Sequence, residues 1–205
     1  LDVGLNLKGL VPAGRLEAVL DGPNGAPKAA VVFAHPHPQY GGTMHTKAVY
    51  QGAKGLSRVG CVVLRFNFRG VGRSQGAFDH GSGELSDAAS ALDWVQTVHP
   101  DAAGCWVAGF SFGAWIGMQL LMRRPEIEGF ISITPPANLY DFSFLAPCPS
   151  SGLIVHGGAG VIERADATPE IEAEYRAALG EAISIGGGIL ERGGSALDAV
   201  TATIA

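Results

Sequence analysis

The residue of this chain best suited to chemistry is Ser111, in the sequence Gly109-Phe110-Ser111-Phe112-Gly113. A strand-like apolar run precedes it, and apolar residues at helical spacing follow it. A serine at such a sharp strand-to-helix turn takes a strained conformation that exposes its hydroxyl, and small flanking residues let neighbouring backbone approach. The pattern predicts a nucleophilic serine, with the amide of Phe112 opening a helix and pointing at a developing oxyanion.

A second oxyanion donor is expected from the loop after an earlier strand, where the sequence is His35-Pro36-His37-Pro38-Gln39-Tyr40-Gly41-Gly42. The two prolines lack an amide hydrogen and fix the backbone around them, so the amide of His37 is our candidate donor. An alternative takes His35, His37 and His45 as metal ligands. No fourth ligand accompanies them, so we predict neither a metal nor a cofactor.

The elements that must position these residues alternate along the chain. Continuous apolar runs predict strands buried on both faces, at Ala29–Ala34, Cys61–Phe66, Cys105–Phe110, Phe130–Thr134 and Gly152–His156. Helical patterns lie between them, which predicts an α/β fold, a three-layer sandwich around a mainly parallel sheet. The first twenty or so residues predict an antiparallel hairpin on the sheet edge, turning near Pro12-Ala13-Gly14.

Another loop, Asn67-Phe68-Arg69-Gly70-Val71-Gly72-Arg73-Ser74, follows the second of these strands. Its glycines permit a tight loop at the carboxyl end of the sheet, where α/β folds bind their ligands. We expect Arg69 to hold this loop together, and contact with an anionic substrate is the alternative.

Composition narrows the class of protein further. The chain has 205 residues, 47% hydrophobic and 16% charged, with a net charge of -5. This suits a globular domain and argues against nucleic acid or an anionic membrane surface as partner. We see no run of about 18 apolar residues and no leader after Leu1, so we expect neither a membrane span nor a signal peptide. The three separated cysteines predict reduced thiols and a cytoplasmic protein.

Residues ~14–156 resemble the α/β-hydrolase superfamily, in its small bacterial dienelactone-hydrolase-like group. The motifs that carry the resemblance are HPHPQYGG (35–42), NFRGVGRS (67–74), FDHGSGELSDAASALDW (78–94), GFSFG (109–113) and PCPSSGLIVHG (147–157). The resemblance implies a serine esterase or thioesterase-like hydrolase with Ser111 as nucleophile. It also implies a lidless domain, for which small acyl compounds are the expected substrates.

The acid and base of that family fall in the part of the sequence where the resemblance stops. The family carries its acid in a Gly-Asp-x-Asp-like turn after the penultimate strand and its base in a later Gly-x-x-His segment. Here Gly157-Gly158-Ala159-Gly160 stands in place of the acid, and the sequence has no histidine after His156. We therefore predict an incomplete triad with weak or no activity, and His156 and Asp141 are the candidate substitute base and acid.

Residues ~153–205 resemble the N-terminus of the isoaspartyl peptidase and plant-type asparaginase family, through HGGAG (156–160) and GGSALDAV (193–200). That family's catalytic threonine follows a self-cleavage site, and Thr201 and Thr203 lie in no matching motif. We interpret the chain as a chimera, with a hydrolase core over residues 1–156 and a tail over 157–205. The sheet would stop after its penultimate strand and be completed by helices, the first beginning at Thr168-Pro169.

Two other functions remain open at this point. One is an asparaginase-related fragment, which the tail suggests. The other is a non-catalytic α/β domain that binds small molecules in the pocket left by the hydrolase site.

Overall fold

A six-stranded sheet organises the first part of the chain. The computed structural model describes residues 14–156 apart from 24 and 149, and separate positions between 168 and 192. The chain divides into two compact units, Leu1–Gly157 and Gly158–Ala205. The strands of the first unit are β1 Ala18–Asp21, β2 Ala29–Ala34, β3 Cys61–Phe66, β4 Cys105–Phe110, β5 Ile127–Ile133 and β6 Ser151–Val155.

The strands lie in the order β1-β3-β2-β4-β5-β6. β1 runs antiparallel to β3, and every other neighbouring pair is parallel. The predicted strands are present, although β5 begins at Ile127 rather than at Phe130. The antiparallel strand lies at one end of the described sheet, as expected, but the proposed turn at Pro12-Ala13 falls outside the described residues.

Three helices cover the two faces of this sheet: α1 Lys47–Arg58, α2 Ser82–Val98 and α3 Phe112–Leu121. Residues of α1 pack with Val31, Phe33 and Val63 on one face. α2 and α3 pack on the other face, against a larger cluster that includes Val32 and Leu64. Since neighbouring residues of a strand point to opposite faces, burial of both sets confirms the three-layer α/β sandwich.

The loops that follow β2, β3, β4 and β5 lie at the same edge of the sheet, because these strands are parallel. Short 3₁₀ turns at Pro38–Tyr40 and Ser143–Leu145 belong to the loops after β2 and β5. The Gly109–Gly113 segment begins at the same edge, where β4 ends and α3 starts. The predicted nucleophile therefore lies among loops from four strands.

In the second unit, the described positions from Pro169 to Gly188 are helical, and position 168 is not. A helix thus begins after Thr168, as the sequence predicts. Ile185 and Gly188 are helical rather than extended. Among the described residues, no helix is both long and apolar enough to cross a membrane.

β6 lies at one end of the described sheet and presents apolar side chains to solvent. Leu153 is 47% exposed and Ile154 is 49% exposed. Because adjacent strand residues point to opposite faces, both faces of β6 are accessible. The strand sequence SGLIV contains neither a charge nor a proline. Edge strands of this composition are templates for pairing with another chain.

We expect Leu153→Lys to slow aggregation of the folded protein, because a lysine on an edge strand opposes pairing between chains. Light scattering during incubation at elevated temperature measures the effect. The free energy of unfolding should change by no more than about 0.5 kcal/mol, since the site is exposed. Val59→Lys is the matched control, because Val59 is 61% exposed after α1. Equal slowing by both variants would show that net charge, and not the β6 edge, governs aggregation.

Candidate active site

Ser111 occupies a strained turn between β4 and α3. Its backbone has φ 55° and ψ -118°, a conformation that L-residues seldom adopt. Its amide donates to the carbonyl of Ile133 at 2.9 Å, which fixes the turn against the end of β5. Although Ser111 is the N-cap of α3, its side chain makes no capping hydrogen bond. The hydroxyl is therefore not used by the helix, as the predicted turn requires.

The two flanking glycines are needed for space. A Cβ on Gly109 would collide with the backbone carbonyl of Gly113. One on Gly113 would collide with the carbonyl oxygens of Ala34 and His35, at the end of β2. The first turn of α3 therefore lies directly against the loop that carries His37.

Backbone strain marks the same edge of the sheet independently of the sequence motif. Among the described residues, the non-glycine residues with positive φ are His80 at 52°, Ser111 at 55° and Thr134 at 43°. They follow β3, β4 and β5. Strained residues of this kind gather at functional sites, where the surrounding structure holds them in place. Strain at His80 and Thr134 could not be predicted, because neither residue is a glycine or lies in a recognised turn motif.

The loop after β2 is held by its own hydrogen bonds. The ring Nδ1 of His37 accepts from the amide of Gln39 at 3.2 Å. The carbonyl of His37 accepts from the amide of Gly42 at 3.1 Å. The amides of His37 and Phe112 have no backbone acceptor within the described part of the chain. Both candidate oxyanion donors thus retain an amide hydrogen for a ligand.

His35 is a structural residue and not a metal ligand. It is fully buried, its Nδ1 donates to the carbonyl of Pro36 at 2.6 Å, and its Nε2 accepts from the amide of Phe68 at 3.1 Å. Burial lowers the pKa of His35 to about 4, outweighing the hydrogen bond to Pro36. Both nitrogens are occupied, so the alternative that paired His35 with His37 and His45 as ligands fails. In the described residues, no group of three or more His, Cys, Asp or Glu side chains is placed to hold a metal ion.

Buried polar contacts fix the loop after β3. Arg69 donates from Nε and a terminal nitrogen to Asp87 on α2, at distances down to 2.7 Å, and its amide donates to the same carboxylate at 2.9 Å. Burial raises the pKa of Asp87, an effect that hydrogen bonds from Arg69 oppose. The guanidinium of Arg69 therefore holds the loop to α2, as expected, rather than lying free for an anionic substrate.

Asn67 ties two of the edge loops together. Its Oδ1 accepts from the amide of Met44 at 2.8 Å, and its Nδ2 donates to Glu17 at 2.8 Å. Met44 belongs to the loop that follows the His37 turn, so the loops after β2 and β3 form one structure. This role of Asn67 could not be predicted, because its partners lie far away along the chain.

His156 and Asp141 lie at the same edge as Ser111 but are not joined to it. His156 follows β6 and is exposed. The two carboxylate oxygens of Asp141 accept from the amide and hydroxyl of Ser143, each at 2.8 Å, and these bonds lower the pKa of Asp141. Within the described residues, no hydrogen bond links Ser111, His156 and Asp141 to one another.

The comparisons with known proteins agree with this geometry. The sheet order and the strained strand-to-helix turn at Ser111, which we call the elbow, define an α/β hydrolase. Residues 25–150 match the sequence profile of the hydrolase family described as serine aminopeptidase, S33, and the chain belongs to that family. Residues 150–205 match the asparaginase family instead.

Individual relatives cover most of the first unit. An uncharacterised protein of Rickettsia prowazekii is 55% identical over 161 residues, which is 76% of this chain but 66% of that protein. The chain thus spans just under two thirds of this relative. A protein of unknown function from Agrobacterium tumefaciens is 58% identical with a TM-score of 0.71, covering 84% of this chain and 79% of the other. A serine hydrolase without a lid from Xanthomonas campestris is 34% identical with a TM-score of 0.70, covering 84% and 77%.

We expect Gly113→Ala to destabilise the protein by about 3 kcal/mol, because its Cβ would meet backbone that cannot move aside as a side chain would. Gly55→Ala is the matched control on α1, where a Cβ would meet nothing within 4 Å. That change should stabilise by about 0.5–1 kcal/mol, since alanine favours helix. Urea unfolding of both variants measures the effects. A Gly113→Ala protein as stable as Gly55→Ala would contradict the close approach of α3 and β2.

We also expect His35 to make the protein less stable in acid. The folded state binds a proton at His35 only near pH 4, whereas an unfolded histidine does so near pH 6.5, so lowering the pH favours unfolding. Between pH 7 and pH 5 this should remove about 2 kcal/mol of stability. Urea unfolding of the wild type and of His35→Gln at both pH values isolates the contribution. Equal losses in the two proteins would mean that His35 does not titrate as its burial requires.

Proposed function

We propose that this chain is a slow serine hydrolase of the esterase or thioesterase type, acting on small acyl compounds through Ser111. The observation that carries the proposal is the strained turn at Ser111, whose hydroxyl the helix does not use. Strain at this position is maintained by close backbone packing at Gly109 and Gly113, and no structural need of the helix accounts for it.

The proposed reaction is attack of the Ser111 oxygen on an ester or thioester carbonyl. The bond from serine oxygen to carbonyl carbon forms while the hydroxyl proton passes to water, and the carbonyl oxygen becomes an oxyanion. The amides of Phe112 and His37 would donate to that oxygen, and the N-terminus of α3 adds its positive dipole. Collapse of the intermediate expels the alcohol or thiol, and water then hydrolyses the acyl-enzyme.

The proposed reaction is slow because, within the described residues, Ser111 has no hydrogen-bonded base. Without one, the hydroxyl keeps a pKa far above 7 and is a weak nucleophile. His37 does not fill the role: its Nδ1 accepts from Gln39, so the neutral ring carries its proton on Nε2. His35 uses both nitrogens. An oxyanion hole and substrate binding alone supply an acceleration of about 10³–10⁴ over water.

We further propose that β6 is the join between two ancestral sequences. The hydrolase and asparaginase matches meet at residue 150, immediately before β6. A join there would account for the absence of any histidine after His156 in the sequence. The coding DNA across codons 150–160 tests the origin separately from the activity.

Labelling with a fluorophosphonate tests the proposed function. We expect slow labelling of the wild type that disappears in Ser111→Ala, since the probe bonds to the serine oxygen and releases fluoride. The rate should lie several orders of magnitude below that of an enzyme with a complete triad. Ser90→Ala is a control, because Ser90 is a serine of α2 away from the elbow.

Two outcomes would overturn parts of the proposal. If labelling is fast and His156→Ala abolishes it, His156 acts as a substitute base and the proposed slow reaction is wrong. Absence of Ser111-dependent labelling in a protein with a folded circular dichroism spectrum would favour a non-catalytic binding domain.

A further inference from the structure

Aromatic rings from three loops meet the ring of Phe112 at the start of α3, and the mechanism proposed above does not use them. Phe112 is the residue after the nucleophile, and its ring centroid lies 4.9 Å from that of His37 in the loop after β2. It lies 6.0 Å from Phe78, after β3, and 5.8 Å from Tyr140, after β5. These centroid separations lie within the range typical of aromatic pairs, so ring contacts join the loops at this edge.

The series of rings ends in a tyrosine that is open to solvent. Tyr40 packs on His37 at 4.6 Å, yet it is 85% exposed. At the other end, Tyr140 stacks on Trp115 at 4.4 Å and is partly buried. Burial raises the pKa of Tyr140, with a smaller contribution from Tyr40, so the two phenols are near enough to interact. Exposed ring surface therefore continues outward from the buried cluster to Tyr40.

A single exposed apolar residue would need no explanation. Tyr40 differs because its position is fixed. It ends the 3₁₀ turn Pro38–Tyr40, whose N-cap is His37, and its amide donates to the carbonyl of His37 at 3.1 Å. The same residue whose amide is a candidate oxyanion donor thus also carries the exposed ring. A ring carried on backbone that is held in this way offers contact area with little loss of backbone conformational entropy on binding.

We propose that the Ser111 site prefers substrates whose acyl group carries an aromatic ring, which packs against the exposed face of Tyr40. This inference rests on the proposed function, since it names the substrate class of the same site. A flat aromatic ring on the substrate can adopt the tilted or stacked packing that the aromatic rings of the protein adopt with one another. A saturated ring of similar size cannot.

The test compares two phosphonofluoridates that differ only in the group on phosphorus, phenyl or cyclohexyl. In each case the Ser111 oxygen bonds to phosphorus, fluoride leaves, and the hydroxyl proton passes to water. Each labelling rate is divided by that probe's hydrolysis rate in buffer, which removes differences in intrinsic reactivity. We expect the normalised phenyl rate to exceed the cyclohexyl rate by about three- to tenfold in the wild type.

Two variants of Tyr40 decide whether the ring is responsible. Tyr40→Phe keeps the ring and should keep the preference, whereas Tyr40→Leu keeps apolar area and should lose it. Since Tyr40 is highly exposed, neither change should unfold the protein. Equal normalised rates in the wild type, or an unchanged preference in Tyr40→Leu, would overturn the inference.

Failure of the proposed function is recognised separately. If neither probe labels the wild type above Ser111→Ala, the hydrolase proposal fails, and binding of benzoate against cyclohexanecarboxylate then decides the inference. Calorimetry should show tighter binding of benzoate to the wild type and Tyr40→Phe, and equal binding of both acids to Tyr40→Leu. Equal binding of the two acids to the wild type would overturn the aromatic preference.

Discussion

The close approach of α3 to the end of β2 is the constraint on which the rest of the site depends. No side chain fits at Gly113, because the carbonyl oxygens of Ala34 and His35 occupy that space. This contact holds Ser111 in its left-handed conformation and brings its turn against the loop of His37. A larger residue at this position would move the turn of Ser111 away from the loop of His37.

The loops at this edge are held by buried polar groups as well as by the sheet. Asp87 and His35 are fully buried, and each has its partners in a loop and not in the regular hydrogen bonding of strands. Buried polar groups are costly when unpaired, so each such contact restricts the loop to the conformation that satisfies it. Asn67 restricts two loops in the same way, because its side chain joins the loops after β2 and β3. The site is consequently more rigid than its loop content suggests.

The strands and the elbow could be predicted from the sequence because their signals are local. Apolar runs predict β2, β3 and β4, and the glycines around Ser111 predict the turn. The role of His35 could not be predicted, because the sequence does not show whether a loop histidine is hydrogen-bonded to backbone that lies far away along the chain. The ring contacts of Tyr40, Phe112 and Tyr140 were missed for the same reason: their loops meet only in the folded sheet.

The proposed join at β6 places different demands on the sheet and on a catalytic triad. β6 needs only apolar, uncharged residues that can pair with β5, and many sequences contain such residues. A base and an acid need particular side chains within hydrogen-bond reach of Ser111, which few sequences supply. If β6 joins two ancestries, as proposed, the fold runs through the join because its requirements are general. On the same proposal the chemistry would stop at β6 because its requirements are specific, and the strand-to-helix turn at Ser111 would remain without the acid and base of the hydrolase family.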